Sequence, residues 1–307
     1  MNREHIIQSS MQKTSIYVIL ICSIFLYSCT KKLTSIQDLS TEQQTAAYKV
    51  LKDISYGLDP EQNMDIYLSK QAGTYGKSNF TVVFLHGGGY YFSDKTQEER
   101  YIQPYLQKGL NVVNLNYRLK RGIPMATSDL THALNFLQAN NSEYPLNLDN
   151  VIVTGFSAGA HIATNVALAQ NNLEYPNKLN EGVLITGIIN FSGPVDGLDV
   201  VERIFTEHEN EQFRAVGKAL FLPEGFESKS TMAIYEPITY LDQKDPPIFL
   251  WHGGLDDQIP PSTFEQFVPM LRKNKDHLMY IPEAKHSPTK EQLENAYAEI
   301  FKFLDDI

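Results

Sequence analysis

Ser157, the adjacent carboxylates Asp256 and Asp257, and His286 are residue types that can act together in nucleophilic acyl chemistry. A serine hydroxyl is a poor nucleophile until a base takes its proton, and the base needs an acid that orients it and stabilises its charged form. Along the chain the order is serine, acid, histidine. The chemistry is possible only if the fold brings these residues together.

The serine lies in Gly155-Phe156-Ser157-Ala158-Gly159, between an apolar run at residues 151–154 and a stretch with helical spacing at residues 158–170. This pattern predicts a strand, a sharp turn and a helix. Side chains two positions before and after the serine would collide on so tight a turn, and the two glycines relieve that crowding. The helix would also direct free backbone N–H groups and its positive dipole end at charge that develops beside Ser157.

The five-residue motif has limited specificity alone, since it arises by chance in roughly one chain in ten of this length. A second motif, His86-Gly87-Gly88-Gly89-Tyr90-Tyr91, follows the apolar run at residues 80–85. Consecutive glycines let the backbone approach a ligand closely and turn its N–H groups towards it. The position directly after a predicted core strand favours a binding loop over a flexible linker.

The acidic and basic candidates follow predicted strands as well. The turn that holds Asp256 and Asp257 comes after the run at residues 248–252, and His286 comes after the run at residues 278–281. In open α/β sheets, functional residues gather where the strands end at their carboxyl edge. We therefore expect these residues to lie near Ser157.

Taken together, these motifs resemble an α/β-hydrolase of the carboxylesterase type. The His86-Gly87-Gly88-Gly89 loop resembles the oxyanion loop of the hormone-sensitive-lipase-like and feruloyl-esterase-like branches, and the Tyr117-Arg118-Leu119 segment is also similar to them. Phe156 in the serine motif favours the feruloyl-esterase-like branch. The resemblance covers about residue 50 to residue 307.

The resemblance implies a role for each site residue. Ser157 would be the nucleophile, His286 the general base and then acid, and Asp256 the orienting carboxylate. The backbone N–H groups of Gly88, Gly89 and Ala158 would bind the oxyanion. The expected substrate contacts are Tyr90, Tyr91 and Phe156. No metal or cofactor is expected.

Other polar residues compete for these roles, but each has a simpler expected place. Asp257 is the rival acid and otherwise a solvated turn carboxylate. His277 precedes the last predicted strand and belongs at the opposite edge of the sheet. His161 lies one helical turn beyond Ser157, where the helix carries it away from the cleft. His86 and His252 open their motifs and are expected to fix the loops through backbone hydrogen bonds.

The elements that must position these residues alternate between strands and helices. Apolar runs predict strands, with an opening hairpin over residues 50–57 and 63–68, and Ser128 or Asp129 is expected to cap a helix after Pro124. Residues 195–244 mix charged and aromatic residues without strand alternation, which predicts a helical insertion, or lid, before the acid turn. We expect an α/β-hydrolase fold over residues 47–307, with a mostly parallel eight-stranded sheet flanked by helices.

The N-terminus predicts a targeting segment at residues 1–28, because a polar region with Arg3 and Lys13 precedes a short apolar run. The run ends in Ser28-Cys29, which resembles a bacterial lipoprotein signal and implies lipid attachment at Cys29. An uncleaved membrane-anchor helix is the alternative. Residues 29–46 are polar and are expected to form a flexible tether. The implied location is the bacterial cell envelope, with the domain periplasmic or surface-exposed.

The composition supports a catalytic domain that does not bind nucleic acid. With 307 residues, 42% of them hydrophobic, the chain can bury a large core, and its net charge of −10 disfavours a phosphate backbone as partner. We predict a serine carboxylesterase acting on small esters or on acetylated or feruloylated polysaccharides. The alternatives are an amide hydrolase of the kynurenine formamidase type and a catalytically silent binding module.

Overall fold

In the computed structural model, which describes residues 39–71, 79–220 and 229–307, eight strands form one sheet. The strands are β1 (Tyr48–Ser55), β2 (Asn63–Ser69), β3 (Thr81–Leu85), β4 (Asn111–Leu115), β5 (Val151–Phe156), β6 (Ile185–Phe191), β7 (Ile248–Gly253) and β8 (His277–Ile281). Their order across the sheet is β1-β2-β4-β3-β5-β6-β7-β8. Only the β1–β2 and β2–β4 pairings are antiparallel among these strands, which confirms the predicted fold class.

The helices connect and cover these strands. They are α1 (Thr41–Ala47), α2 (Gln103–Gln107), α3 (Gly122–Ala139), α4 (Ala158–Ala169), α5 (Leu198–Thr206), α6 (Glu211–Ala219), α7 (Lys229–Ala233) and α8 (Lys290–Asp305). Short 3-10 helices occur at Glu99–Tyr101, Pro237–Thr239, Pro261–Thr263 and Val268–Met270. Among the described residues, no helix has both the length and the apolar character needed to cross a membrane.

The central strands are buried on both faces, as their continuous apolar sequences predict. Alternate residues of each strand face opposite layers of the core. Val83, Val153 and Leu250 belong to a largely aliphatic cluster with α3 and α4. The opposite face carries an aromatic layer, in which Phe84 stacks on Tyr101 with ring centroids 5.6 Å apart. Further members of this layer are Tyr105, Phe191, Phe249, Tyr297 and Phe303.

The opening hairpin is confirmed, since Leu51 pairs with Ile66 and Tyr48 pairs with Ser69. The helical character of the insertion is confirmed as well, because α5, α6 and α7 occupy its described part. The terminal helix begins at a capping box, in which Thr289 accepts from the Gln292 backbone N–H and the Gln292 side chain accepts from the Thr289 N–H.

Two sequence-based expectations are wrong. Helix α3 starts at Gly122, so neither Ser128 nor Asp129 caps it; the carboxylate of Asp129 is buried inside the helix and pairs with the Arg118 guanidinium. Helix α1 occupies part of the segment expected to be a flexible tether, because Ser40 and Gln43 form a capping box that starts a helix in a polar sequence. The predicted signal segment and Cys29 lie outside the described residues.

Candidate active site

The sheet order brings four loops to the same edge of the sheet. Strand β3 lies between β4 and β5, so the chain leaves β3 in one direction and β5 in the other, and a crevice opens where the connections diverge. The glycine loop follows β3 and the serine turn follows β5. Strands β7 and β8, farther along the same parallel set, supply the acid and histidine loops.

The turn at Ser157 has the conformation that the motif predicts. Ser157 has φ 52° and ψ −119°, a strained conformation for a residue with a side chain. Its backbone N–H donates to the carbonyl of Phe191 at 2.8 Å, which anchors the turn to β6. A side chain at Gly159 would overlap the carbonyl oxygens of Leu85 and His86, so glycine allows α4 to start against the end of β3.

The three predicted triad residues come together in hydrogen-bonding order. His286 Nε2 lies 2.9 Å from Ser157 Oγ, and His286 Nδ1 lies 2.7 Å from Asp256 Oδ2. A carboxylate only accepts, so Nδ1 carries the proton and Nε2 is free to accept from the serine hydroxyl. This is the tautomer that a general base beside a nucleophile requires.

Backbone contacts hold the acid and the histidine in place. Asp256 Oδ1 accepts from the N–H groups of Gln258 at 3.0 Å and Ile259 at 2.9 Å, so both carboxylate oxygens have partners. The hydroxyl of Ser192 donates to the His286 carbonyl at 2.8 Å. Asp256 is 3% exposed, whereas its rival Asp257 is exposed on the turn, which places Asp257 outside the triad.

The glycine loop and the first residue of α4 present three backbone N–H groups to the space beside Ser157. Gly88 and Gly89 have φ of 101° and 61°, values that favour glycine. In the described part of the chain, the N–H groups of Gly88, Gly89 and Ala158 have no hydrogen-bond acceptor, and all three residues line the cavity at the serine. The arrangement can stabilise the oxyanion of a tetrahedral intermediate.

Buried hydrogen bonds behind the loop fix its shape. The Tyr117 hydroxyl contacts the carbonyls of His86 and Gly87 at 3.0 and 3.2 Å. His161 Nε2 donates to the Tyr235 carbonyl at 2.7 Å, which leaves Nδ1 to accept from the Tyr90 hydroxyl at 2.6 Å. His161 therefore supports the loop from outside the cleft, as its position in the sequence predicted.

The other histidines also hold loops, as expected. His86 Nδ1 donates to the Gly87 carbonyl and His252 Nε2 to the Ile259 carbonyl. Burial lowers the pKa of His86, His161 and His252 to about 4, so all three are neutral at neutral pH. His277 opens β8 and stacks on Phe249, at the end of the sheet away from Ser157.

A cavity of about 380 Å³ opens at Ser157 and has two unlike walls. One, the sheet-edge wall, carries the reacting groups. The other, the insertion wall, is mostly apolar and comes from α5, α6 and the residue that follows α6. The sheet-edge wall includes Gly88, Gly89, Ser157, Ala158 and His286, and the insertion wall is formed by Val201, Phe205, Gln212, Phe213, Val216 and Leu220.

The predicted substrate contacts divide three ways. Phe156 lines the cavity, with its ring centroid 5.0 Å from that of His286. Tyr90 also lines it, but its hydroxyl is committed to His161. Tyr91 does not line the cavity: its ring lies against Phe92 and the Lys120 ammonium group, after positive φ angles at Gly89 and Tyr90.

Glu98 is a lining residue that the sequence did not indicate. It lies in a polar stretch before the 3-10 helix Glu99–Tyr101, where nothing distinguishes it from its neighbours Gln97 and Glu99. Its Oε2 accepts from the Gly87 N–H at 3.1 Å. Within the described residues, no group of three or more His, Cys, Asp or Glu side chains is arranged to hold a metal ion.

With this geometry in place, comparison with known proteins identifies the family. A family model described as BD-FAE matches residues 64–271 of the 307 residues. The chain belongs to the BD-FAE family. The matched region begins in β2 and contains Ser157 and Asp256, while His286 follows it.

Two relatives and one solved structure extend the comparison. The chain is 23% identical over 252 residues to esterase LipC and 26% identical over 255 residues to the probable carboxylic ester hydrolase LipM, both of Mycobacterium tuberculosis. Each match covers 76% of this chain, which spans 58% and 55% of the lengths of these relatives.

The solved structure is a truncated carbohydrate esterase from gut microbiota. It matches with a TM-score of 0.67 at 18% identity, over 88% of this chain and 99% of that one. Membership of the BD-FAE family and the fold confirm the expected α/β-hydrolase of the carboxylesterase type.

Proposed function

We propose that this protein is a serine carboxylesterase that hydrolyses carboxylic esters through an acyl-enzyme. The observation that carries the proposal is the chain of hydrogen bonds from Ser157 through His286 to Asp256, facing three unpaired N–H groups. The intact triad disfavours a silent binding module. The esterase names of its relatives support the same reaction class.

The geometry supports a two-step reaction. Ser157 Oγ attacks the ester carbonyl carbon while His286 Nε2 takes the hydroxyl proton, and the N–H groups of Gly88, Gly89 and Ala158 bind the oxyanion. His286 then gives the proton to the departing alkoxide oxygen. The alcohol leaves, and the acyl group remains bound to Ser157. A water molecule, deprotonated by His286, then attacks that acyl group. The carboxylic acid leaves as His286 returns the proton to Ser157 Oγ, which restores the free enzyme.

The substrate class follows from the cavity. The insertion wall is suited to an apolar acyl group of modest size, because apolar side chains such as Phe205 and Val216 bound that side of a cavity of about 380 Å³. Sugar or other glycan esters are included among the substrates, since a carbohydrate esterase shares the fold over most of this chain. The acid turn and the oxyanion groups require no metal or cofactor for this reaction.

The N-terminal sequence supports a tethered enzyme. Cys29 follows the apolar run as in a lipoprotein signal, so in this proposal its thiol carries lipid and holds the catalytic domain in the cell envelope. Replacement of Cys29 by serine should release the protein from the membrane fraction and abolish labelling with a fatty-acid analogue. Membrane retention of the variant, with no fatty-acid labelling of either protein, would favour the uncleaved anchor helix.

A substrate panel tests the reaction class. Full-length protein is assayed on p-nitrophenyl acetate, acetylated and feruloylated sugars, an N-formyl amide and a dipeptide. We expect kcat/KM for the esters to exceed that for the amides by at least about a hundredfold. Higher activity on the formyl amide would support the formamidase alternative.

A fluorophosphonate probe tests the nucleophile directly. The folded protein should be labelled on Ser157, and the Ser157→Ala variant should lose both labelling and ester hydrolysis while keeping its melting temperature. A folded wild-type protein that neither reacts with the probe nor hydrolyses any ester would overturn the proposal.

A further inference from the structure

Glu98 places a carboxylate inside the cavity that the reaction steps leave unused. It is the only acidic side chain among the described residues that line the cavity. Oε2 accepts from the Gly87 N–H, while Oε1 has no hydrogen-bond partner among the described residues. A glutamine would hold Gly87 equally well, so support of the loop does not account for the charge.

The free oxygen is available to a ligand. Glu98 is half-buried, so Oε1 keeps some access to the cavity while no group in the described residues donates to it. Burial raises the pKa of Glu98, against the opposing effects of the Gly87 N–H, Arg100 and His286. A ligand that donates a hydrogen bond would supply the missing partner.

The position of Glu98 assigns it to one side of the cavity. A side chain at Gly87 would meet both the Phe156 ring and Glu98 Oε1, so these two groups adjoin at that end of the glycine loop. Phe156 in turn contacts the His286 ring. At the other end of the loop, the Val216 side chain lies against Gly89.

His286 delivers the proton to the leaving oxygen, so the alcohol part of the ester lies on the side of Glu98. The acyl part then lies towards Val216 and the rest of the insertion wall. The rim beside His286 adds two hydrogen-bonding side chains, Gln258 and Ser287. The alcohol side of the cavity therefore carries a carboxylate and two further polar side chains, whereas the acyl side is mostly apolar, with Gln212 as its polar member among the described residues.

We propose that Glu98 is a specificity residue that binds a hydroxyl group of the alcohol part of the substrate, so that esters of polyhydroxy alcohols are preferred. This rests on the proposed esterase function. A hydroxyl fits better than a cationic group, because attack by Ser157 turns His286 into an imidazolium that would repel a cation beside it. The polar rim is also suited to a second hydroxyl of the same alcohol.

The test compares two acetates that differ only in two hydroxyl groups, glycerol 1-acetate and propyl acetate, with acetylcholine as a cationic third. The measured quantity is the ratio of kcat/KM for glycerol 1-acetate to that for propyl acetate, in wild type, Glu98→Leu and Glu98→Gln. Because both substrates meet the same glycine loop, any displacement of Gly87 cancels in the ratio. Glu99→Gln is the matched control, since it removes the neighbouring acidic charge outside the cavity lining.

We expect the wild-type ratio to exceed one and Glu98→Leu to lower it by about tenfold or more, the typical effect of a lost hydrogen bond to a charged group. Glu98→Gln keeps an acceptor and should lower the ratio by about threefold, and Glu99→Gln should leave it unchanged. A ratio that stays within about twofold in both Glu98 variants would overturn the inference, as would a preference for acetylcholine that Glu98→Gln abolishes. Hydrolysis of propyl acetate with an unchanged ratio would leave the esterase proposal standing, whereas a wild type that hydrolyses neither acetate would overturn both.

Discussion

The two walls of the cavity are built by different means. Groups on the sheet-edge wall are positioned by positive-φ backbone, as at Ser157 and Gly88, and by buried side-chain hydrogen bonds, as at His161. The insertion wall is positioned mainly by packing, and presents side chains such as Phe205 and Val216 from amphipathic helices. A change in the first wall therefore moves reacting atoms, whereas a change in the second moves only the boundary of a pocket.

This contrast suggests a division of labour. Acyl transfer needs atoms held to within a fraction of an ångström, which a sheet edge with interlocking loops provides. Selection among acyl groups needs a surface whose volume can change without disturbing those atoms. Substitutions in the sheet-edge wall should therefore change the rate of acyl transfer, whereas substitutions in the insertion wall should change the preference among acyl groups.

The sharpest test of the sheet-edge wall compares two neighbouring carboxylates. Asp256→Asn should lower kcat/KM on p-nitrophenyl acetate by about 10³- to 10⁴-fold, because the amide no longer holds His286 in the productive tautomer. Asp257→Asn, one residue along on the exposed side of the same turn, should change it by less than about twofold. Similar losses in the two variants would contradict the assignment of the acid.

The next test concerns the oxyanion loop. Gly88→Ala should lower kcat by about a hundredfold or more, because a side chain there would overlap the Phe92 carbonyl and displace the N–H groups. Gly109→Ala is the matched control: Gly109 also has a positive φ, 77°, but a Cβ there would meet only Ser69 Oγ, at 3.8 Å, and Gly109 does not line the cavity. The control should lose stability without losing kcat. Equal losses of kcat in Gly88→Ala and Gly109→Ala would show that general backbone strain, and not displacement of the oxyanion N–H groups, causes the loss.

A third test uses pH to probe the support behind the sheet-edge wall. The unfolded chain protonates His161 near its ordinary pKa of 6.5, whereas the folded protein does so only near pH 4. The free energy of unfolding therefore falls as pH falls from 7 towards 4. Between pH 7 and pH 5 this residue should account for about 2 kcal/mol of that fall.

Denaturant titrations at pH 7 and pH 5 measure this contribution. In His161→Gln, which cannot titrate, the difference between the two pH values should be smaller than in wild type by that amount. An unchanged difference in His161→Gln would show that His161 is not held neutral.

The smallest expected effect concerns the insertion wall. Val216→Ala should raise the ratio of kcat/KM for p-nitrophenyl hexanoate to that for the acetate by about tenfold, because each added methylene in an apolar pocket is worth that order of discrimination. Activity on the acetate should change by less than about threefold. Lys218→Ala, on the exposed side of the same helix, should leave the ratio alone. A large loss of acetate activity in Val216→Ala would show that the insertion wall also positions the reacting groups, which would contradict the proposed difference between the two walls.

The sequence was most informative where chemistry and backbone geometry coincide. The strand runs and the residues that follow them predicted the sheet and the meeting of Ser157, Asp256 and His286, because parallel strands end at one edge. Their roles in the reaction remain predictions. The glycine positions were predictable for a similar reason, since each marks a place where a side chain would collide.

It was least informative where a residue's environment comes from distant segments. Asp129 read as a helix cap but is buried by its pairing with Arg118 and a hydrogen bond from Gln62, far away in the chain. Glu98 acquired its place in the cavity through Gly87, and no local pattern separates it from a solvent-exposed acid. The direction of the Tyr91 side chain was not predictable, because after consecutive positive φ angles it is set by the loop as a whole.

The hydrogen bond from His161 to the Tyr235 carbonyl constrains how this scaffold can be remodelled. An engineer who wished to admit bulkier acyl donors would be tempted to excise the whole of residues 195–244. That deletion would remove the acceptor of the buried His161 imidazole and weaken the support of Tyr90. The glycine loop that binds the oxyanion would then lose part of its support. Shortened designs should therefore trim α5 and α6 and keep the segment around Tyr235. The acyl specificity could then be altered while the Tyr235 carbonyl still accepts the hydrogen bond from His161.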